Sequence, residues 1–342
     1  MLRVKKLSIL VLSMLFAASF ANAAADQVAT ADELYQQAVI PWEQGRSSGW
    51  KLMLKAADAG SIDAQCWIAK SSMKSIWVWS ETTYKYFKMA AGQDGLCGML
   101  ALSTKSEGGV AIMGNGGLSN EEKDELRAKL INRSKALADN GNIDGIKMYA
   151  FLQAIKDGND EGYCKWMEKA AKLGDADAMN QLAGSIQDGC GWYILPGSRD
   201  KAVRYWIEQA ANNGNPRAMD QLAVYFQEAG DIESMLHWYG MGAKIGNVNS
   251  ILFYSGYLSS APELGVDVPL ELQDKVKAYG LLNAVVSQTI EDDNVFSAYH
   301  QAIERMRFLE KVLTAGELDE AKKWSNEWMK THQVRNYSLE FN

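Results

Sequence analysis

Trp166-Met-Glu-Lys-Ala170-Ala171-Lys-Leu-Gly174 returns 40 residues later as Trp206-Ile-Glu-Gln-Ala210-Ala211-Asn-Asn-Gly214. In both copies a large ring stands four residues before a pair of alanines, and a glycine follows. On a helix, positions four apart share a face. The small pair admits a second backbone at close range, and the glycine suits the left-handed ending of a helix. A second apolar stripe follows each copy at once, Ala178, Leu182 and Ile186 in one, Ala218, Leu222 and Phe226 in the other. Stripes at that period belong to amphipathic helices. Each block therefore reads as two antiparallel helices joined by a tight turn.

Working outward, four further blocks follow the same plan. They are Trp50 to Gly60, Tyr86 to Ala91, Ser134 to Gly141, and Trp238 to Gly246. From one small pair to the next the spacing is 34, 47, 33, 40 and 32 residues. The 47 reflects an inserted glycine-rich segment, Gly108 to Gly117, expected to be a flexible loop. A longer helix follows it, opened by Ser119-Asn-Glu-Glu122, in which Ser119 and Glu122 can satisfy each other's end of the helix start. After the sixth block, Leu270 to Gln288, Val295 to Leu313 and Ala315 to Thr331 read as single helices, the last opened by Thr314 and Glu317. Helices with a polar outer face close the open end of a stack. Gln333 to Asn342 has no periodicity and is expected to be loose.

These blocks resemble the Sel1-like repeat family, relatives of the tetratricopeptide repeats. The family pattern runs aromatic, Ala-Ala, Gly, Ala, Leu and a closing Gly. The fourth and fifth blocks fit it best, through Ala170, Ala171, Gly174, Ala178, Leu182 and Gly189, and through Ala210, Ala211, Gly214, Ala218, Leu222 and Gly230. The resemblance covers about 32 to 332 and is weak in the first and third blocks. It implies an all-α chain, a right-handed superhelical solenoid of about six hairpins with C-terminal capping helices, in residues 24–332. It also implies protein binding, since such stacks present long concave walls.

Residues 1–23 read as a bacterial export leader. Arg3, Lys5 and Lys6 precede the apolar run Leu7 to Phe20, and Ala21-Asn22-Ala23 supplies the small-x-small cleavage pattern. That run is short of the roughly 20 residues a spanning helix needs. Cleavage after Ala23 would deliver the chain to the periplasm, and no later stretch is apolar enough to span a membrane. The full chain has a formal net charge of −7, and loss of the leader's three basic residues takes it to −10. That argues against nucleic acid, which needs a basic footprint. It suits a basic protein partner.

Four cysteines in an exported chain suggest disulfides. Cys164 starts the first helix of the fourth hairpin and Cys190 just follows its second, so the two are expected to pair. Cys66 and Cys97 lie near the second helices of neighbouring hairpins, where pairing and free buried thiols both remain open. No cysteine pair has metal-site spacing and none has a histidine beside it, so no metal is expected.

No catalytic constellation and no cofactor are expected. The three histidines, His237, His300 and His332, are scattered, and no nucleophile elbow, zinc-protease helix or phosphate loop is present. The repeat aromatics Tyr86, Trp166, Trp206 and Trp238 are assigned to packing. Aromatics that break the repeat register are different. Trp77 and Trp79 lie in the link Ser75 to Ser80, and Trp192 and Tyr193, followed by Ile194 and Leu195, lie just past the fourth hairpin. Exposed aromatics mark binding hot spots, so these four are the candidate partner-binding residues, with local burial as the alternative. Family members outside the cytoplasm serve as envelope adaptors, regulators, and immunity proteins that neutralise secreted antibacterial toxins. Some cysteine-rich members are linked to cell-wall-related ligands, so the resemblance also allows a cell-wall-ligand-binding or hydrolytic enzyme as an alternative. An acidic exported solenoid without an added module best suits an immunity protein, whose partner would be a toxin such as a type VI secretion effector.

Overall fold

The apolar stripes and glycine turns sort the chain into sixteen α-helices among the residues described by the computed structural model. Those residues are 29–73, 75, 78–104, 111–112, 117–157, 160–290 and 297–337. Residues 1–28 and 338–342 lie outside them. Helix α1 (Ala31–Glu43) precedes six hairpins. They are α2 (Ser47–Asp58) with α3 (Ile62–Ser71), α4 (Glu81–Gly92) with α5 (Leu96–Ser103), and α6 (Asn120–Asp139) with α7 (Ile143–Asp157). Next come α8 (Asp160–Lys172) with α9 (Ala176–Gln187), α10 (Ser198–Asn212) with α11 (Pro216–Glu228), and α12 (Ile232–Lys244) with α13 (Val248–Leu258). Helices α14 (Lys275–Gln288), α15 (Ala298–Leu309) and α16 (Ala315–Met329) complete the stack. Apart from α16, which packs on α14, each helix packs mainly on those beside it in sequence, the arrangement of an all-α solenoid.

The small pairs do what their spacing predicts. Ala56, Ala57, Ala90, Ala91, Ala138, Ala170, Ala171, Ala210, Ala211 and Ala243 are all buried. At Gly242 even a methyl is too much, because a Cβ there would collide with the Ser250 side chain of α13. The turns after Ala171 and Ala211 place Gly174 and Gly214 at φ of 96° and 91°, the left-handed region that glycine enters without penalty. In the second hairpin Asp94 takes this conformation instead, at φ 60°. Helix α6 holds it there. Arg133 donates to the Asp94 carbonyl at 3.0 Å, and Lys129 hydrogen-bonds its carboxylate and keeps it below the usual carboxylate range.

Both capping boxes form. Ser119 N–H donates to Glu122 at 2.7 Å and Thr314 N–H to Glu317 at 2.7 Å. The helix expected from Leu270 starts later. Leu270–Leu272 is a short 3₁₀ turn, and α14 begins at Lys275, where the Asp274 side chain accepts from Lys277 N–H at 2.8 Å. Two residues each of the link and the insert, β1 (Val78–Trp79) and β2 (Ala111–Ile112), pair in parallel. The rest of the insert, apart from Gly117, lies outside the described residues.

The C-terminal segment departs from expectation. Residues 333–337 are not loose. Val334 is buried, and its N–H donates to Gln288 Oε1 at 2.6 Å. Gln44, just past α1, donates to the Val334 carbonyl at 3.0 Å. Arg335 pairs its backbone with the α12–α13 turn, accepting from Val248 N–H at 3.0 Å and donating to Gly246 O at 2.7 Å. Its guanidinium grips Glu43 through two hydrogen bonds, Nη2 to Oε1 at 2.6 Å and Nε to Oε2. The Glu43 carboxylate has no solvent exposure. The segment has no periodicity because it is an extended strap whose partners lie up to 292 residues away. The terminal helices therefore do not simply cover an open end, since the first helix and the last segment meet.

Removing one member of a buried ion pair leaves the other charge stranded, at a loss of about 3–5 kcal/mol. Arg335→Ala should destabilise the protein by about that amount in urea unfolding and enlarge its radius of gyration in solution scattering. Glu43→Gln combined with Arg335→Gln should be milder than Arg335→Ala alone.

Candidate protein-binding surface

Helix α9 ends at Gln187, and the next apolar stripe begins only in α10. The connecting loop, Cys190 to Gly197, has no helix face to join, so something else must hold it. Two devices do. Cys190 is bonded to Cys164 on the first helix of the same hairpin, closing a separation of 26 residues. Arg199, in the first turn of α10, turns its guanidinium back onto the end of α9. It donates to the carbonyls of Cys190 at 3.2 Å, Gly191 at 3.3 Å and Gly189 at 3.5 Å, and to that of Ile186. Three of these carbonyls belong to the turn that follows α9, beyond the reach of its helical hydrogen bonds. The same guanidinium lies over the Tyr193 ring, 5.0 Å from its centre.

With the base of the loop fixed, its tip stands in solvent. Trp192 is 91% exposed, Ile194 80% and Leu195 73%. Single exposed apolar residues are ordinary, but a contiguous large one on a braced loop marks an interaction surface. Beside the tip lies an open groove of about 1240 Å³. Tyr163 and Ser185 form part of its floor, and Asp160, Glu161 and Asp188 stand along it. Burial pushes the Tyr163 phenol up, so it remains a neutral hydrogen-bonding group, donating to Gln181 at 3.3 Å.

The candidate residues read from sequence part company here. Tyr193 is half-buried beneath Arg199, and Trp192 is free. Trp79 is buried at 6% exposure, its strand paired with β2 and its ring against Phe87, 5.1 Å between centres. It is a packing residue, as the local-burial alternative has it. Trp77 lies outside the described residues. Both cysteine pairs form, Cys164–Cys190 and Cys66–Cys97, the second joining α3 to α5 across neighbouring hairpins. Paired cysteines of this kind belong to an oxidising compartment. The repeat aromatics pack as expected. Tyr86 is buried and donates to Asp58 at 2.8 Å, and Trp166 meets Tyr149 edge-on at 5.2 Å. His237 is exposed. Among the described residues, no three His, Cys, Asp or Glu side chains are grouped to hold a metal, and no helix is long and apolar enough to cross a membrane. Sequence reasoning did not find Arg199, nor the three carboxylates beside the loop.

The buried small pairs, the left-handed glycines and the hairpin stacking decide the architecture. The chain is an all-α solenoid of helical hairpins. No family model and no curated protein matches the sequence. Among solved structures the solenoid is similar to a protective antigen present in uropathogenic Escherichia coli strains that displays an SLR fold, at 19% identity and a TM-score of 0.43. That match covers 90% of this chain and 62% of the antigen's. It is also similar to a Sel1 repeat protein from Oxalobacter formigenes, at 17% identity and a TM-score of 0.40, over 95% of this chain and 91% of that one.

Two carboxyls away from the groove titrate unusually. Burial, with the like charges of Asp144 and Asp32, raises Asp63. Burial also raises Asp220, although Ser250 and Asn247 donate to it at 2.5 and 3.1 Å. A folded-state pKa above the ordinary 3.8 means the folded chain holds the proton longer than the unfolded one. Stability then falls as pH rises from 3.8 through the raised value. Asp63→Asn and Asp220→Asn should each flatten that fall in melting temperature measured against pH. A second expectation concerns the loop. Replacing Cys164 and Cys190 by Ser should lower stability by about 3.5 kcal/mol on loop-entropy grounds. It should also open 190–197 to limited proteolysis.

Proposed function

We propose that this chain is a protein-binding solenoid of the periplasm, and that it contacts its partner through the Trp192 loop. The observation that carries this reading is a 91% exposed tryptophan, flanked by exposed Ile194 and Leu195, on a loop braced by a disulfide and an arginine clamp. Rigid aromatic anchors concentrate binding energy in protein interfaces, and a braced loop loses little freedom on docking. The leader-like pattern at 1–23 and the two disulfides support the compartment. The acidic balance of the chain supports a protein partner over a polyanion.

Within that class we propose an immunity protein that neutralises a secreted antibacterial toxin, such as a type VI secretion effector. A single preorganised epitope on an acidic body suits a stoichiometric inhibitor, drawn to a basic target by long-range charge. The tagged protein should capture one stoichiometric protein from periplasmic or secreted fractions. Trp192→Ala should weaken that capture by more than about tenfold with the melting temperature unchanged. Deleting the gene should sensitise cells to kin competitors. Capture of an envelope-assembly component, with no sensitisation, would replace immunity by an adaptor role. No protein partner from either fraction would end the reading.

A further inference from the structure

The groove beside the Trp192 loop has a charge pattern as specific as its shape. Three carboxylates, Asp160, Glu161 and Asp188, stand along it, all exposed, and none forms an ion pair among the described residues. Among the described residues one cation lines it, Arg199, whose guanidinium is held by four carbonyls at and just past the end of α9 and by the face of Tyr193. Among the described lining residues three negative charges therefore face one positive charge, a net of −2. Trp192 and Ile194 add an apolar edge on the same side. At about 1240 Å³ the space exceeds the roughly 300–1,000 Å³ of small-molecule pockets. It has the breadth to receive several side chains of a polypeptide.

We infer that this groove receives a protein segment in which lysine or arginine alternates with large apolar side chains. The cations would lie against Asp160, Glu161 and Asp188, and the apolar side chains against Trp192 and Ile194. This inference rests on the protein-binding reading above and deepens it by naming the chemistry of the partner's contact. The three carboxylates come from two places in the chain, the start of α8 and the end of α9, and the Cys164–Cys190 bond ties those places together. The charge pattern thus depends on the oxidised hairpin. An anionic bilayer, the other body that could accept an apolar tip, would be repelled by the same carboxylates.

The test uses the full oxidised protein and a fluorescent synthetic peptide of alternating Lys and Leu. A Glu-Leu peptide of equal length and vesicles of anionic phospholipid serve as the contrasting probes. The Lys-Leu peptide should bind, weaken at least about tenfold between about 50 and about 500 mM salt, and outcompete the Glu-Leu peptide. Asp160→Asn, Glu161→Gln and Asp188→Asn combined should reduce that binding by more than about tenfold, as should Trp192→Ala. The far-UV circular dichroism and melting temperature of these variants should match the parent. Tyr205→Ala, at an exposed aromatic elsewhere on the stack, should leave binding unchanged. Equal affinity for both peptides, indifference to the triple neutralisation, or binding to vesicles alone would overturn the inference. Capture of a cellular protein that is lost with Trp192→Ala but kept by the triple variant would also overturn it, while leaving the protein-binding reading in place.

Discussion

The architecture depends on how closely two helix backbones can approach at the small pair. In five of the six hairpins the chain places Ala-Ala, or Gly242 and Ala243, at the crossing, and these positions are buried, while the third has Leu137 there with the buried Ala138. Gly242 shows how little room is left, since a single carbon there would strike Ser250. Close approach lets the stripes of neighbouring helices share one continuous core. No hairpin can hide its own stripe, so each needs the next. The large ring four residues earlier then works as filler, as the burial of Tyr86 and the edge-on contact of Trp166 with Tyr149 illustrate.

The same constraint explains why the candidate surface lies where it does. The small pairs of the fourth and fifth hairpins are 40 residues apart, against 32 to 34 elsewhere when the inserted segment is set aside. The extra residues are the loop after α9, which no stripe can absorb. Hydrophobic packing cannot hold such a segment, and directional bonds take its place, a disulfide to Cys164 and the hydrogen bonds of Arg199. The apolar side chains of the loop are thereby released from structural duty.

Much of this was legible because it is local. Stripe periodicity, capping boxes at Ser119 and Thr314, and the adjacency of hairpin ends that joins Cys164 to Cys190 all follow from residues a few turns apart. What was not legible depends on distant partners. Trp79 and Trp192 both sit in apolar runs that break the repeat. Trp79 lies in a strand paired with Ala111 and Ile112 and is buried with its ring against Phe87, whereas Trp192 stands in solvent. Arg199 has no motif around it, and its role emerges only once the end of α9 is in place. The strap from Gln333 to Tyr337 reads as featureless because every group it satisfies belongs to another part of the molecule.

That strap changes how the stack behaves as a whole. In an open row of repeats the outermost units have one neighbour, fray first and open without consulting the rest. Here a contact spanning 292 residues gives the first and last elements a shared neighbour. Neither end can peel without breaking the same buried bonds. Because closing so long a loop brings a heavy entropic penalty before any reward, the latch belongs late in assembly, after the hairpins have zipped together. A row of weakly coupled units becomes, at that final step, one cooperative body.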